Sequence, residues 1–416
     1  MTVPASATTA GPDAGAHAFG GQAAHAARLL SLLCTGFILR AVLLGVPPVL
    51  EQLRRSLGLS HGIAGLVIGL PVLVLGLSAL PGAAITRRIG AARTVGAGLV
   101  LLAVGAVLRA APGGFTSVMI GTLLLAVGIG AAQPPLARLA QVWFPRQVQR
   151  AATVMTLGLL VGGIAGAALT PFVVHGVAHD WRGSFVFWSV PAALAVVMWL
   201  AVASRSPDGS AGQAPVRIGP LLADPRVRWI TLLFAAQGVT FYTSNTWIAG
   251  ASAGGADTPA AALNLLCLNG AALPITLVLT ATRRSFTDSR RFYVAAGLLS
   301  IAGTAGWTFA GPELGPLWSL LLGGGGTMAL VGATAYSPMS FPPAQVAAVA
   351  ATVWTVGYIA AFVGPPLAGL SIDLFHNPRA PFALCLAFSF LLILGGLRLP
   401  RTVPGAVPAT DPAAGD

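Results

Sequence analysis

Arg40 is the residue whose type and position say most about possible chemistry. It lies about halfway along the apolar stretch 29–50, which has the length of a membrane-spanning helix. An arginine at the centre of such a helix costs about 2.5–3.5 kcal/mol on insertion scales. It therefore needs a partner of opposite charge, a polar ligand or a water-filled cavity.

The acidic residues do not supply a counter-ion for Arg40. The chain has 11 of them, and none lies at the centre of an apolar stretch; those nearest to one fall at or beyond its ends: Glu51, Asp180, Asp257, Glu313 and Asp373. An anionic ligand, or one rich in hydrogen-bond acceptors, is then the expected partner of Arg40. Satisfaction by backbone carbonyls or water alone stays open as the alternative.

A second set of candidate residues is polar or aromatic and lies in other apolar stretches. Gln237, Phe241 and Asn245 are spaced by four and so share one helical face. Amides cannot titrate, but they donate and accept hydrogen bonds, as the selection of a small polar solute requires. The further candidates for binding such a solute are Gln133, Tyr242, Trp247, Asn269, Trp354 and Tyr358. Hydrogen bonding between helices and aromatic packing are the alternative roles.

Several function classes are disfavoured by what the sequence lacks. It has no Walker-type loop, nucleophile elbow or His-Glu zinc motif, so we expect no enzyme, cofactor or metal site. The cysteines Cys34, Cys267 and Cys385 lie in apolar stretches without paired spacing. Proton-coupled transporters commonly use buried Asp, Glu or His, which the centres of these stretches lack. The net charge of +12 comes without the aromatic-interleaved basic domain of a nucleic-acid-binding protein.

The composition places the chain in a lipid bilayer. Hydrophobic residues make up 56% of it and charged residues only 8%, a balance far from that of water-soluble domains. Apolar stretches of spanning length recur between short polar breaks. They predict an all-α membrane protein with twelve transmembrane helices at 29–50, 61–81, 94–112, 115–138, 151–174, 183–204, 229–250, 259–281, 291–310, 314–336, 346–370 and 380–399.

The arginine distribution predicts the orientation of these spans. An even number of spans puts both termini on one side of the membrane. Apart from Arg40, most arginines fall in segments on that side, and the segments on the other side hold only Arg54, Arg55, Arg109, Arg182 and Arg379. Because basic residues accumulate in cytoplasmic loops, both termini are expected to be cytoplasmic. The expected location is the inner (plasma) membrane of a bacterium.

The spans are expected to form two six-helix halves, 29–204 and 229–399. A polar segment at 205–228 separates them as a cytoplasmic linker, and residues 1–28 and 400–416 are expected to be cytoplasmic tails, the first of them disordered. Thr86-Arg87-Arg88 and Thr282-Arg283-Arg284 follow the second span of each half, which favours an internal duplication. In the fifth span Gly158, Gly162 and Gly166 share one face, where a neighbouring helix could approach closely.

The span region from about 29 to 399 resembles the major facilitator superfamily, and within it the cyanate-permease and nitroimidazole-transporter family. The residues that carry the resemblance are Leu39-Arg40-Ala41-Val42, Leu57-Gly58-Leu59-Ser60-His61, Leu70-Pro71-Val72-Leu73, Trp181-Arg182-Gly183-Ser184, Gln237 with Phe241-Tyr242 and Trp247, and Gly357-Tyr358 with Gly364-Pro365. The loop after the second span, 83–93, is similar to the superfamily's signature loop but has Arg87 where an Asp is usual. The resemblance implies a cytoplasmic gating loop that includes Arg87, Arg88, Gly90 and Arg93.

The resemblance also implies a bundle in which spans one, four, seven and ten line a central cavity that opens alternately to each side. Members of the family move small anionic or polar compounds such as cyanate, or export nitroimidazole-type compounds. We therefore expect a monomeric transporter of a small anionic or polar solute, anchored by Arg40. An exporter of toxic small molecules in which Arg40 is structural stays open, as does a membrane receptor or assembly protein that transports nothing.

Overall fold

The computed structural model of the chain describes residues 13–178, 180–204, 218–281 and 289–399, which contain helices and no strand. The first part of the chain forms α1 Asp13–Leu44, α2 Leu50–Ser56, α3 His61–Ile89, α4 Ala91–Ala110, α5 Gly114–Trp143, α6 Val148–Val173 and α7 Trp181–Ala203. The second part forms α8 Ile218–Leu222, α9 Pro225–Ala251, α10 Pro259–Gly270, α11 Ala272–Ala281, α12 Ser289–Ala305, α13 Gly315–Ser340, α14 Pro343–Ala361, α15 Gly364–Phe375 and α16 Ala380–Arg398.

Within the described residues, eleven helical stretches are long and apolar enough to cross a membrane. Three of them contain two α-helices each: α1 with α2, α10 with α11, and α14 with α15. Helix α9 is not among the eleven because its central part is polar, although its 27 residues give it a length of about 40 Å. With α9 included, the arrangement is consistent with the twelve spans that the sequence predicts.

The helices pack as two halves, as the sequence predicts. In the first half α1 packs against α6 and α7, while α5 packs against α3 and α4. In the second half α9 packs against α14 and α16, while α12 packs against α13 and α16. The halves meet where α3 contacts α14 and α15, and where α6 contacts α10. This arrangement leaves α1 and α9 on opposite sides of the junction between the halves.

Small residues allow the closest of these contacts. A Cβ at Gly65 would lie 2.5 Å from the carbonyl oxygen of Pro365, and one at Gly69 would lie 2.9 Å from that of Phe362. Both distances are shorter than a van der Waals contact, so only glycine permits α3 to lie this near to α14 and α15. The face of α6 formed by Gly158, Gly162 and Gly166 lies against the backbone of α1, as its spacing predicts.

Two predicted boundaries are wrong. The first helix begins at Asp13, so part of the tail predicted to be disordered up to residue 28 is helical. This segment is rich in alanine and continues directly into a span, so it extends a helix that is already nucleated. The predicted loop at 83–93 is also mostly helical, because α3 runs to Ile89 and α4 begins at Ala91.

Some predictions fall outside the described residues. They concern the linker segment 205–217, the second motif Thr282-Arg283-Arg284 and the tail 400–416. The described end of the linker contains α8 and the start of α9, where the Asp224 carboxylate accepts a hydrogen bond of 2.8 Å from the Arg226 backbone N–H. The Arg226 guanidinium also donates to this carboxylate and thereby lowers the pKa of Asp224. Asp224 thus caps the helix that carries most of the predicted polar residues.

Candidate functional site

Arg40 lies in the last two turns of α1 and reaches across the junction between the halves. Its Nη1 atom donates a hydrogen bond of 3.3 Å to the hydroxyl of Tyr242 on α9. The hydroxyl of Tyr358 on α14 is a second neutral group that interacts with the guanidinium. The apolar helical segment that includes most of α1 together with α2 runs from residue 22 to residue 57, so Arg40 lies near its middle, as the sequence predicts.

Within the described residues no carboxylate forms an ion pair with Arg40. The ion pairs that the structure shows there join other residues, among them Glu51 with Arg54 and Asp373 with His61. A guanidinium has five N–H donors and no acceptor. Two phenol oxygens satisfy at most part of these donors and leave the positive charge uncompensated. The site therefore has an unused capacity to bind an anion or an acceptor-rich group.

Five aromatic rings from α9 and α14 pack together, and two of them, Tyr242 and Tyr358, carry the hydroxyls that face Arg40. We call these rings the aromatic cluster: Phe234, Phe241, Tyr242, Trp354 and Tyr358. The rings of Phe234 and Trp354 are nearly parallel, with centroids 6.3 Å apart. Tyr358 meets both Phe234 and Tyr242 edge to face, at 5.3 and 6.4 Å. Phe241 packs edge to face on Tyr242 at 5.2 Å. Such contacts fix the tyrosine hydroxyls in place through ring packing.

Four members of the cluster are residues that the sequence predicts as binding candidates: Phe241, Tyr242, Trp354 and Tyr358. Phe234 was not predicted, because a phenylalanine in an apolar stretch carries no sequence signal that distinguishes it from a residue in contact with lipid. The spacing of Trp354 and Tyr358 by four places both on one face of α14, which is the face toward α9.

The two predicted asparagines bond to each other. The Asn269 amide on α10 donates a hydrogen bond of 2.9 Å to the side-chain oxygen of Asn245 on α9, and the Asn245 amide donates to the backbone oxygen of Phe241 at 3.0 Å. Both side chains are buried. Their arrangement matches the alternative role, a hydrogen bond between helices, which joins α9 to α10.

The remaining polar candidates are not brought to Arg40. Gln237 is buried on α9, and its amide nitrogen would lie 3.8 Å from a Cβ at Gly326 on α13, so it points toward that helix. Gln133 is partly buried on α5, and the structure shows no hydrogen bond between its amide and another described side chain. Trp247 lies one turn beyond Tyr242, and its ring packs on His61 with centroids 5.8 Å apart.

Where the sequence predicts a gating loop, the structure has a single residue between α3 and α4. Gly90 has a φ of 88°, a backbone conformation that glycine adopts without steric cost, and it separates α3 from α4. The Thr94 hydroxyl donates a 2.7 Å hydrogen bond to the Gly90 carbonyl oxygen. The side chains of Arg87, Arg88 and Arg93 are exposed around this turn. The segment therefore presents three guanidinium groups on a sharp helix-to-helix turn.

Arg109 was predicted to lie in an outer segment, and the structure places it in the last turn of α4. Its side chain is only 2% exposed and turns into the first half from the last turn of α4. The guanidinium donates hydrogen bonds of 3.0 Å to the Thr122 hydroxyl and to the Val42 carbonyl oxygen, and it lies over the Phe185 ring. The sequence indicates how deep a residue lies but not which way its side chain turns.

Comparisons with known proteins agree with this architecture. A family model described as the Major Facilitator Superfamily matches residues 32–322. A cyanate transport protein of Escherichia coli K12 is 27% identical over 88% of this chain and 94% of its own length. A 2-nitroimidazole transporter of the same organism is 25% identical over 89% of this chain and 94% of its own. The crystal structure of a peptide transporter in complex with sulfate superposes with a TM-score of 0.69 at 17% identity, covering 89% of this chain and 93% of that one.

These similarities extend along nearly the whole helical region and confirm the resemblance that the sequence indicates. The family model covers parts of both halves, and the relatives align over most of their own length. The helix packing supplies the two-half architecture independently of the alignments. The chain belongs to the Major Facilitator Superfamily and is a membrane transporter of a small solute.

Proposed function

We propose that the protein carries a small anionic or acceptor-rich solute across the membrane by alternating access, with Arg40 as the electrostatic anchor. One observation carries the proposal: the guanidinium of Arg40 lies at the junction of the halves and donates a hydrogen bond to the neutral phenol oxygen of Tyr242 instead of to a carboxylate. The relative that is named as a cyanate transport protein supports an anionic solute.

The energetics of Arg40 favour a ligand that completes its hydrogen bonds. A hydrogen bond between two charged partners is typically 2.7–2.9 Å long. The Tyr242 contact is longer, at 3.3 Å. An anionic oxygen that replaces the phenol would therefore gain energy while it compensates the charge.

The aromatic cluster would bind the rest of the solute. Its rings are held in fixed orientations by edge-to-face contacts, so they offer flat, rigid surfaces beside the guanidinium. A planar anion or a small heterocycle can lie against such a surface while its acceptor atoms face Arg40. Selection would then rest on shape at the rings and on charge at Arg40.

The position of the site fits alternating access. Arg40 belongs to the first half, whereas Tyr242 and Tyr358 belong to the second. A solute bound between them contacts both halves, so movement of one half against the other exposes it to one side of the membrane and then to the opposite side. The protein performs no chemical conversion in this proposal.

A second candidate function is the export of nitroimidazole-type or other toxic small molecules. The nearly parallel rings of Phe234 and Trp354 favour it, because they offer aromatic surface that a small, strongly hydrated anion does not use. The relative named as a 2-nitroimidazole transporter is consistent with this alternative. The two candidates differ in solute and direction, and both place the solute beside the aromatic cluster.

We further propose that the protein acts as a monomer in the inner (plasma) membrane of a bacterium, with both termini in the cytoplasm. The arginine distribution supports this orientation, and the burial of Arg109 makes the outer segments poorer still in basic residues. Reporter fusions at the two termini that are active only on one side of the membrane would test it. A reporter signal from the periplasmic side would contradict the proposed orientation.

Uptake into proteoliposomes tests the function. The panel comprises labelled cyanate, thiocyanate, nitrate and 2-nitroimidazole, offered to the wild type, Arg40→Ala and Arg40→Lys. We expect Arg40→Ala to lower transport of the preferred solute by about 10-fold or more, since a hydrogen bond to a charged group contributes about 1.5–3 kcal/mol. Arg40→Lys should retain part of the rate, because it keeps the charge but loses the planar fork of donors.

Arg55→Ala is the matched control, because Arg55 is exposed and binds only Glu51 on its own helix in the structure. It should transport as the wild type does. If folded Arg40→Ala protein transports every solute at the wild-type rate, Arg40 is not the anchor. A dependence of the flux on membrane potential would show whether net charge moves, since one charge corresponds to about 2.3 kcal/mol per 100 mV.

A further inference from the structure

A carboxylate of the second half caps a helix of the first half. The Asp373 side chain on α15 accepts hydrogen bonds from the backbone N–H groups of His61 and Gly62, at 3.1 and 2.9 Å. These groups begin α3, a helix of 29 residues. A further contact of 2.7 Å joins Asp373 to the Nδ1 atom of His61. All three interactions cross from one half to the other.

The carboxylate of Asp373 is favoured at this position by the electrostatics of the helix end. The first N–H groups of a helix have no partner within the helix and carry its positive dipole end, so a carboxylate placed there is favoured. Because an ionised carboxylate only accepts hydrogen bonds, the Nδ1 atom of His61 must be the donor. Ser60 caps the same helix from within the chain by accepting from the N–H of Ile63. Asp373 is thus an addition to the local cap and serves to join the halves.

Trp247 extends the contact to α9. Its ring packs on the His61 ring at 5.8 Å, and its Nε1 atom donates a 3.0 Å hydrogen bond to the Pro365 carbonyl oxygen. Tyr242, the partner of Arg40, lies five residues earlier on the same helix. Helix α9 therefore connects the anchor site to the contact between Asp373 and His61.

Both side chains of the contact are partly exposed. The side chains of His61 and Asp373 keep 24% and 27% of their surface exposed, so water can solvate both when they separate. A second polar contact between the halves lies at the same end, where the Gln52 amide donates to Asp257 at 3.3 Å. Both contacts lie at the ends of membrane spans. The arginine distribution predicts that these ends face the outer side of the membrane.

We propose that Asp373, His61 and Trp247 form the outer gate of the transport path, which holds the outer ends of the two halves together and must break before the site opens outward. The gate rests on the proposed alternating access, because only a transporter whose halves separate needs such a contact. The hydrogen bonds that Asp373 accepts are the ones that break when the gate opens. The rings of His61 and Trp247 cover the transport path when the gate is closed.

Distances between spin labels at the outer ends of the two halves test the gate. One label replaces Thr116 at the start of α5, the other replaces Ala253 after α9, and both positions are exposed; the native cysteines are first replaced by serine: Cys34, Cys267 and Cys385. We expect Asp373→Ala to raise the ratio of the long-distance to the short-distance population by about 10-fold or more. Asp373→Asn, which keeps one acceptor oxygen, should raise it less.

Glu51→Gln is the matched control. Glu51 is a carboxylate of α2 at the same end of the molecule, but its partners Arg54 and Arg55 lie on the same helix. The hydrogen bonds that the structure shows for Glu51 stay within α2, so its substitution should leave the distances unchanged. An Asp373→Ala distribution identical to that of Glu51→Gln would overturn the gate. If Asp373→Ala does not fold, Asp373→Asn decides the question by the same measurement, because it removes the charge from all three bonds and keeps the side-chain volume.

The measurement also separates the gate from the proposed function. A shift in distances with normal dependence of transport on Arg40 supports both. A shift in distances together with Arg40-independent transport supports the gate and rejects the anchor. Unchanged distances together with Arg40-dependent transport reject the gate and leave the anchor standing.

Discussion

Arg40 of the first half donates its hydrogen bond to the hydroxyl of Tyr242 in the second half, over 3.3 Å. A positive charge is thus held at the junction of the halves by a neutral and replaceable partner. An anionic solute would compete with the phenol for the same donor. Binding of the solute and loosening of one link between the halves would then be the same event, which couples occupancy to movement.

This competition predicts the effect of Tyr242→Phe. The variant removes the hydroxyl and keeps the ring, so the aromatic packing on Phe241 and Tyr358 persists. Because the solute no longer displaces a hydrogen bond, we expect the KM for transport to fall by about 10-fold or more, which corresponds to the 1.5–3 kcal/mol of a hydrogen bond with a charged partner. Concentration-dependent uptake into proteoliposomes measures it.

Tyr293→Phe is the control for this substitution. The Tyr293 hydroxyl donates to the backbone oxygen of Ala329 within the second half, at 3.4 Å, and the residue is equally buried. Its removal should leave the KM unchanged. A KM that rises in Tyr242→Phe would show that the hydroxyl binds the solute instead of competing with it.

The pair Asn245 and Asn269 predicts a loss of stability with little change in solute affinity. Asn269→Ala leaves the buried oxygen of Asn245 without its donor, which costs about 1–3 kcal/mol. The double variant should cost less than the sum of the single variants, because both lose the same bond. Thermal unfolding in detergent measures these costs. Additive losses in the double variant would contradict a direct bond between the two side chains.

The residues near Arg40 could be predicted from the sequence because their signals are local. A charge within an apolar stretch is costly wherever it lies, and the four-residue spacing of Trp354 and Tyr358 places both on one helical face. The sequence does not show that Tyr242 would reach Arg40, since this depends on how α9 rotates against α1. The same limit explains Gln133 and Gln237, which were predicted as candidates by type but are not brought to Arg40.

Contacts between segments that are far apart in the sequence could not be predicted either, because they depend on how the helices pack. Asp373 and His61 are 312 residues apart, and the sequence places each only near the end of its own span. Their pairing follows from the approach of α3 to α15, which the glycine at position 65 permits. The buried orientation of Arg109 likewise depends on Thr122 and Val42, which belong to other helices.

We predict that Arg109 stabilises the C-terminal end of α1. The Val42 carbonyl lies in the last turn of α1, and the next turn bonds to its neighbours instead, with Gly45 donating to Ala41 and Val46 to Leu43. Arg109 supplies the donor that Val42 would otherwise lack, and its positive charge suits the carbonyl end of a helix. We expect Arg109→Met to lower stability by about 1–3 kcal/mol.

Thermal unfolding of Arg109→Met and Arg109→Lys tests this role. The lysine should recover part of the loss, because an ammonium group still donates to a carbonyl. Arg182→Met serves as the control, since Arg182 lies over the neighbouring Trp181 ring at 4.2 Å and is partly exposed. Stability of Arg109→Met equal to that of the control would refute the role of Arg109 at this helix end.

Because α6 packs closely against α1, we predict that one methyl group added to α6 disturbs the position of Arg40 on α1. A Cβ at Gly162 would collide with the backbone of Phe37, three residues before Arg40. Helix α1 would have to move, because backbone cannot yield as a flexible side chain does. Overpacking of this kind costs about 1–3 kcal/mol, so Gly162→Ala should unfold at a lower temperature and transport more slowly.

Gly250→Ala shows whether the collision is the cause. A Cβ at Gly250, near the end of α9, meets nothing within 4 Å, and alanine is favoured over glycine in a helix by about 0.5–1 kcal/mol. This variant should therefore unfold at the same temperature as the wild type or a higher one. If Gly162→Ala matches it in both unfolding and transport, α6 does not hold α1 by close backbone contact, and the position of Arg40 must depend on α7 and the Arg109 bond instead.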